Sequence, residues 1–83
     1  MVDNTPIAKG DGIMIRFGTP DWPYGFALCT YTGKRKGKHT FLSETYGWKY
    51  IVDLQANTVI CTQNPDKVYE IDNSTGWADR LPR

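Results

Sequence analysis

Histidine occurs once in this chain of 83 residues, and cysteine twice. Cys29 and Cys61 are far apart, with no C-x-x-C spacing, so the four ligands that a structural zinc ion needs are not on offer. Neither a metal nor a cofactor is expected. Each cysteine sits inside an apolar run, which predicts two buried, reduced thiols. Long hydrophobic runs are also missing, and nothing approaches the roughly 20 apolar residues of a membrane span. The opening "MVDNTPIAKGDG" has no basic segment followed by an apolar one. The chain therefore reads as a soluble cytoplasmic protein without a leader.

Charge of one sign is scarce as well. The net charge is +1, too small for a whole-molecule field that would gather nucleic acid. Residues 1–49 carry seven basic and four acidic side chains, whereas residues 50–83 carry three and five. Any electrostatic targeting must be local. Catalytic patterns are absent too: there is no G-x-S-x-G, no glycine-rich phosphate loop ahead of a helix, and no pair of neighbouring carboxylates. Cys29 with His39 could in principle serve as nucleophile and base. A thiol in mid-strand among apolar neighbours is a poor nucleophile, because burial raises its pKa. The chain is not expected to be an enzyme.

What the sequence does have is aromatic residues, 13% of the total, with eight glycines and five prolines. Disordered chains lack that aromatic content, so this one is expected to fold, as one domain over 1–83. A chain of this length buries only about 60–65% of its unfolded surface, so its core is small. No window shows a helical period. The two-residue period recurs instead. In "GIMIRFG", Ile13, Ile15 and Phe17 share one face. In "WKYIVDL", Trp48, Tyr50, Val52 and Leu54 do so. "FALCTYT" is apolar on both faces, and Leu28 is assigned to the core. "HTFLSET", "TVICTQ" and "KVYEI" supply further short strands, with a turn at "QAN" in which Asn57 takes the left-handed conformation. Residues 1–10 and 73–83 are left as loose termini.

Five or six short strands at about ten-residue spacing predict an all-β domain, a small five- to six-stranded SH3-like barrel or sandwich. A chain this size hides its strand edges most economically by curling the sheet nearly closed. The segment "KGDGIMIRFG" resembles the first strand of SH3-like and KOW-type modules, which begin with Gly-Asp and alternating aliphatics. The resemblance is at fold level and points to no specific family.

Two stretches carry candidate binding chemistry. In "TGKRKGKHTF", Lys34, Arg35, Lys36 and Lys38 lie between and beside Gly33 and Gly37, followed by His39. Cations with flexible backbone N–H groups can hold phosphates, and Tyr31 and Phe41 are near enough in sequence to stack on bases. The plain alternative is a solvated hairpin turn. In "PDWPYG", Asp21 and Trp22 sit between two stiffening prolines with Tyr24 directly after, and Trp and Tyr are favoured interface anchors. The alternative is that Trp22 plugs an end of the barrel. Tyr46, in "TYGW", could join that aromatic surface as a cage for a cation. The expected function is a small binding module for a protein partner, an inhibitor or adaptor of the kind that phages and mobile elements encode. It would use Asp21, Trp22, Tyr24 and Tyr46 with the basic tip against an acidic surface. The second reading is a nucleic-acid-binding barrel using Lys34, Arg35, Lys36, Lys38 and His39.

Overall fold

The described residues form seven strands, most of them separated by glycine or proline. They are β1 (Gly12–Thr19), β2 (Trp22–Arg35), β3 (Lys38–Ser43), β4 (Lys49–Asp53), β5 (Thr58–Cys61), β6 (Val68–Ile71) and β7 (Ala78–Arg80). They are seen in a computed structural model that describes residues 7–19, 22–72 and 76–81, with the side chains of residues 22–24 outside that description. Among the described residues there is no helix, and so none long and apolar enough to cross a membrane.

Each of the first five strands pairs antiparallel with the next, and β6 returns to pair with β1. The result is a closed six-stranded barrel with β7 added. Of the two expected architectures, the barrel is the one formed. Closure gives every barrel strand a partner on both sides along part of its length, which limits the open edges that small sheets must manage. β1 needs help to close. One of its edges lies along β2 from Gly12 to Thr19. The other is shared: β6 takes Phe17 and Gly18, and β7 takes Ile13 to Ile15. Between them the chain leaves and comes back at one residue. Asp72 N donates to Arg16 O, and Arg16 N donates to Trp77 O. The Arg16 guanidinium ties this excursion down through Gly76 O at 2.8 Å and an ion pair with Asp79.

The core follows the two-residue period. Ile13, Ile15, Cys29, Phe41, Val52 and Val59 are wholly or almost wholly buried, joined by Phe17, Tyr31, Tyr50, Cys61, Ile71 and Ala78. A large apolar side chain contributes roughly 1.5–3 kcal/mol when fully buried. Both cysteines are buried and unbonded, as expected. Leu28 is a correction. Its neighbours Ala27 and Cys29 stand opposite Ile15 and Ile13 on the inner face. Leu28 therefore faces out, 38% exposed, and Phe26 beside it is 65% exposed. Trp48 is also not core in the expected way. β4 begins at Lys49, so Trp48 lies outside the alternation and packs half-buried on the rim. The C-terminal stretch assigned to a loose terminus supplies β7 and Trp77, and Ile7 near the other terminus packs on the core.

A basic face and mouth as candidate functional site

Six of the ten basic residues gather around one hairpin. The β2–β3 hairpin turns at Lys36 and Gly37, with Arg35 opposite Lys38. Both turn residues have positive φ, 53° and 79°, the conformation of a type I′ turn whose twist matches its strands. Lys34, Arg35, Lys36 and Lys38 are all exposed, as the sequence predicts. The structure adds two cations that the sequence reading did not connect to them. Lys9 passes over Gly33 so closely that a β-carbon there would come within 2.9 Å of Lys9 Cε. Lys49 stands opposite Leu42, on the outer face of the same sheet.

Lys9, Lys34, Arg35 and Lys49 line an open depression of about 230 Å³ with Thr32, Gly33 and Thr40. The two threonine hydroxyls lie 2.7 Å apart, and Thr40 Oγ1 donates to Gly33 O at 3.1 Å. Among the described residues none of Lys9, Lys34, Arg35, Lys36, Lys38 and Lys49 forms an ion pair. The other described arginines do: Arg16 pairs with Asp79, and Arg80 with Asp11 at 2.7 Å. Asp11, held by the Ala8 N–H and then by Arg80, titrates below the usual carboxylate range.

A bulge divides the cations between two sides of the hairpin. Tyr31 pairs with Phe41 and Gly33 with Thr40, which leaves Thr32 extra. Without it, Lys34 would continue the outward series of Thr30 and Thr32. With it, Lys34 stands opposite His39, above the barrel mouth. There a second depression, about 310 Å³, opens between the hairpin and the β4–β5 turn. Lys34, Lys36, Lys38 and His39 form one wall, and Asp53, Leu54 and Gln55 the other. Asn57 in that turn has φ 59°, the left-handed conformation expected of it. Lys34 lines both depressions.

His39 points partly inward. Its Nδ1 lies 2.8 Å from the Tyr31 hydroxyl, and its ring faces Trp77 at 6.3 Å. Burial, and then Lys34, hold its pKa below the ordinary 6.5. Burial raises the Tyr31 pKa, so the phenol keeps its proton and shares a hydrogen bond with the imidazole, its direction set by the His39 tautomer. Trp77 stands edge-on to Phe41 at 6.1 Å and closes this end of the barrel, the place the sequence reading considered for Trp22.

The aromatic candidates are only partly in view. Asp21 and the side chains of Trp22 and Tyr24 lie outside the described residues, although β2 already begins at Trp22. β1 ends at Thr19 and β2 takes up again at Trp22. Tyr46 is 67% exposed and stacks on Trp48 at 4.5 Å, with the rings 19° from parallel. The Trp48 indole N–H is buried without a hydrogen bond in good geometry, although the neighbouring Tyr50 hydroxyl is close enough to feel it. This stacked pair lies at the end of β3 and β4 away from the hairpin, next to Lys49. Among the described residues no three His, Cys, Asp or Glu side chains come together to hold a metal. No family model, curated protein or solved structure matches this chain.

Proposed function

We propose that this domain is a non-enzymatic binding module for single-stranded nucleic acid, held on the outer face of β2, β3 and β4. One observation carries the reading. Six cations from three separate segments converge on one hairpin and its two depressions, and none of them forms an ion pair among the described residues. Ammonium and guanidinium groups so placed repel one another, so a polyanion is the partner that relieves them. Tyr46 on Trp48 supplies a stacking surface on the rim, in the turn between β3 and β4, and stacking tolerates any base. Three strands make a face only about 10 Å wide, which suits one strand of nucleic acid better than a duplex. Two free thiols suit a reducing compartment, so we place the protein in the cytoplasm.

A second reading keeps a protein partner, with the chain as an inhibitor or adaptor of the phage-encoded kind and an SH3-like use of its surface. The outward Phe26 and Leu28, with Met14 opposite Leu28, favour it, since they expose apolar area on β2 beyond the basic depressions.

The test is a fluorescence anisotropy titration with a single-stranded eight-nucleotide RNA. Substituting Lys9, Arg35 and Lys49 together by Ser should weaken binding and lower the slope of log K against log salt by about 2. Unchanged binding in that variant, or no binding of the RNA at low salt, would sink the nucleic-acid reading in favour of the second.

A further inference from the structure

The mouth depression has a composition that phosphate binding alone does not explain. Its hairpin wall is cationic, with Lys36, Lys38 and Lys34. Its opposite wall carries a carboxylate, Asp53, an amide, Gln55, and the 43% exposed Leu54. Asp53 and the lysines share this cavity, yet they form no ion pair. The carboxylate is held in place instead by its own turn. Asp53 Oδ1 accepts from Gln55 N and from Ala56 N, both at 3.1 Å. Oδ2 has no partner among the described residues. An oriented acceptor and a set of cations thus face each other across about 310 Å³. A bare phosphate would be attracted by one wall and repelled by the other. A ligand that fits both walls carries an anion at one end and hydroxyl donors at the other, with an apolar face between them.

We propose that the mouth takes the 3′-terminal ribonucleotide of the bound strand. Its phosphate lies against Lys36 and Lys38, its 2′,3′-diol donates to Asp53, and its base covers Leu54. The neighbouring phosphate then falls in the outer depression, with Lys34 between the two. This rests on the nucleic-acid reading above and adds to it a preference for a ribose end, since the 2′-hydroxyl is the group that separates RNA from DNA.

The probe is adenosine 5′-monophosphate, which carries the same phosphate and diol. It is titrated into the full chain while the NMR signals of His39 and the Gln55 amide are followed. Both should shift. The 2′,3′-dideoxy analogue and inorganic phosphate should bind about tenfold more weakly, the size of losing a hydrogen bond to a charged group. Asp53→Asn keeps the turn, because Asn makes the same backbone bonds. It should weaken the nucleotide by a similar factor and leave inorganic phosphate no weaker. If Asp53→Asn instead tightens nucleotide and phosphate alike, the carboxylate only repels and the proposal is overturned. A control separates this from the broader reading. If the eight-nucleotide RNA binds through Lys9 and Lys49 while adenosine monophosphate ignores both the diol and Asp53, only the terminal site is lost. If no RNA binds at low salt, both fall.

Discussion

His39 is one imidazole, yet it couples the basic mouth to the stability of the fold. The groups around it are the Tyr31 hydroxyl, the Lys34 ammonium, the Trp77 ring and, across the depression, Asp53. Its folded pKa lies below the ordinary 6.5, because burial and then Lys34 oppose the charge. The unfolded chain therefore takes up the proton first as pH falls. Stability is intact above about 6.5 and declines below it, until the folded pKa is passed. Urea midpoints should drop between about pH 7.5 and pH 5.5, and His39→Gln should flatten that part of the curve. An equal drop in the variant would place the effect elsewhere. Cys29 makes a complementary case. Burial first, and Glu44 second, push its thiol up to about 12. At neutral pH it is protonated and shielded, so alkylation followed by mass spectrometry should find it unmodified in the native protein and modified in urea. Rapid native labelling would mean that β2 opens readily. At Gly25 the constraint is steric. A β-carbon there would meet the Phe17 carbonyl oxygen at 2.5 Å. Gly25→Ala should cost about 2 kcal/mol or more, seen as a lower denaturant midpoint.

The β2–β3 hairpin shows what one element can and cannot reveal beforehand. Its type I′ turn prefers Asn-Gly, and Lys36 holds φ 53° without that advantage. Lys36→Asn should therefore raise stability by about 0.5 kcal/mol while removing one mouth cation. Replacing Lys34, Arg35, Lys36 and Lys38 together by Ser should leave the melting temperature nearly unchanged, since exposed charges contribute under about 1 kcal/mol. A large fall in melting temperature would show that the tip is structural. The hairpin and its charges were legible from "TGKRKGKHTF", because cations between glycines must lie in water. Its bulge was not, because Thr32 and Thr40 meet only once β3 has set the register. Lys9 and Lys49 were invisible for the same reason: closure and pairing bring them to Gly33 and Leu42, and nothing local to either lysine says so. The inner faces of β1 and β4 could be read from Ile13, Ile15, Tyr50 and Val52, where apolar and polar residues alternate. In β2 both faces are apolar, and the tie was broken by the partners of Ala27 and Cys29. β7 gave no signal, since "ADR" is three residues long and mostly polar.

At the scale of the whole molecule, the barrel depends on its last described segment. Trp77 fills the hairpin end against Phe41 and His39, and Arg16 anchors the segment that carries it. Trp77→Ala should lower stability by about 2–3 kcal/mol, somewhat less than a fully buried Trp would. It should also broaden the His39 and Phe41 resonances, whereas loss of stability without change at the mouth would assign Trp77 a purely local role. Closure has a kinetic side as well. It joins residues 13–18 to residues 70–80, nearly the length of the chain, so folding should be slow for so small a domain. The way β7 meets β1 also decides how the protein answers a pulling force. Ile13 stands opposite Arg80, and Leu81 N donates to Gly12 O. β1 thus starts and β7 ends side by side, at the same point of an antiparallel ladder. Tension applied at both ends loads these hydrogen bonds one after another, as in opening a zip, rather than all together in shear. The protein should therefore come apart at low force under an optical trap, with β7 peeling first, even where heat and denaturant find the barrel sound.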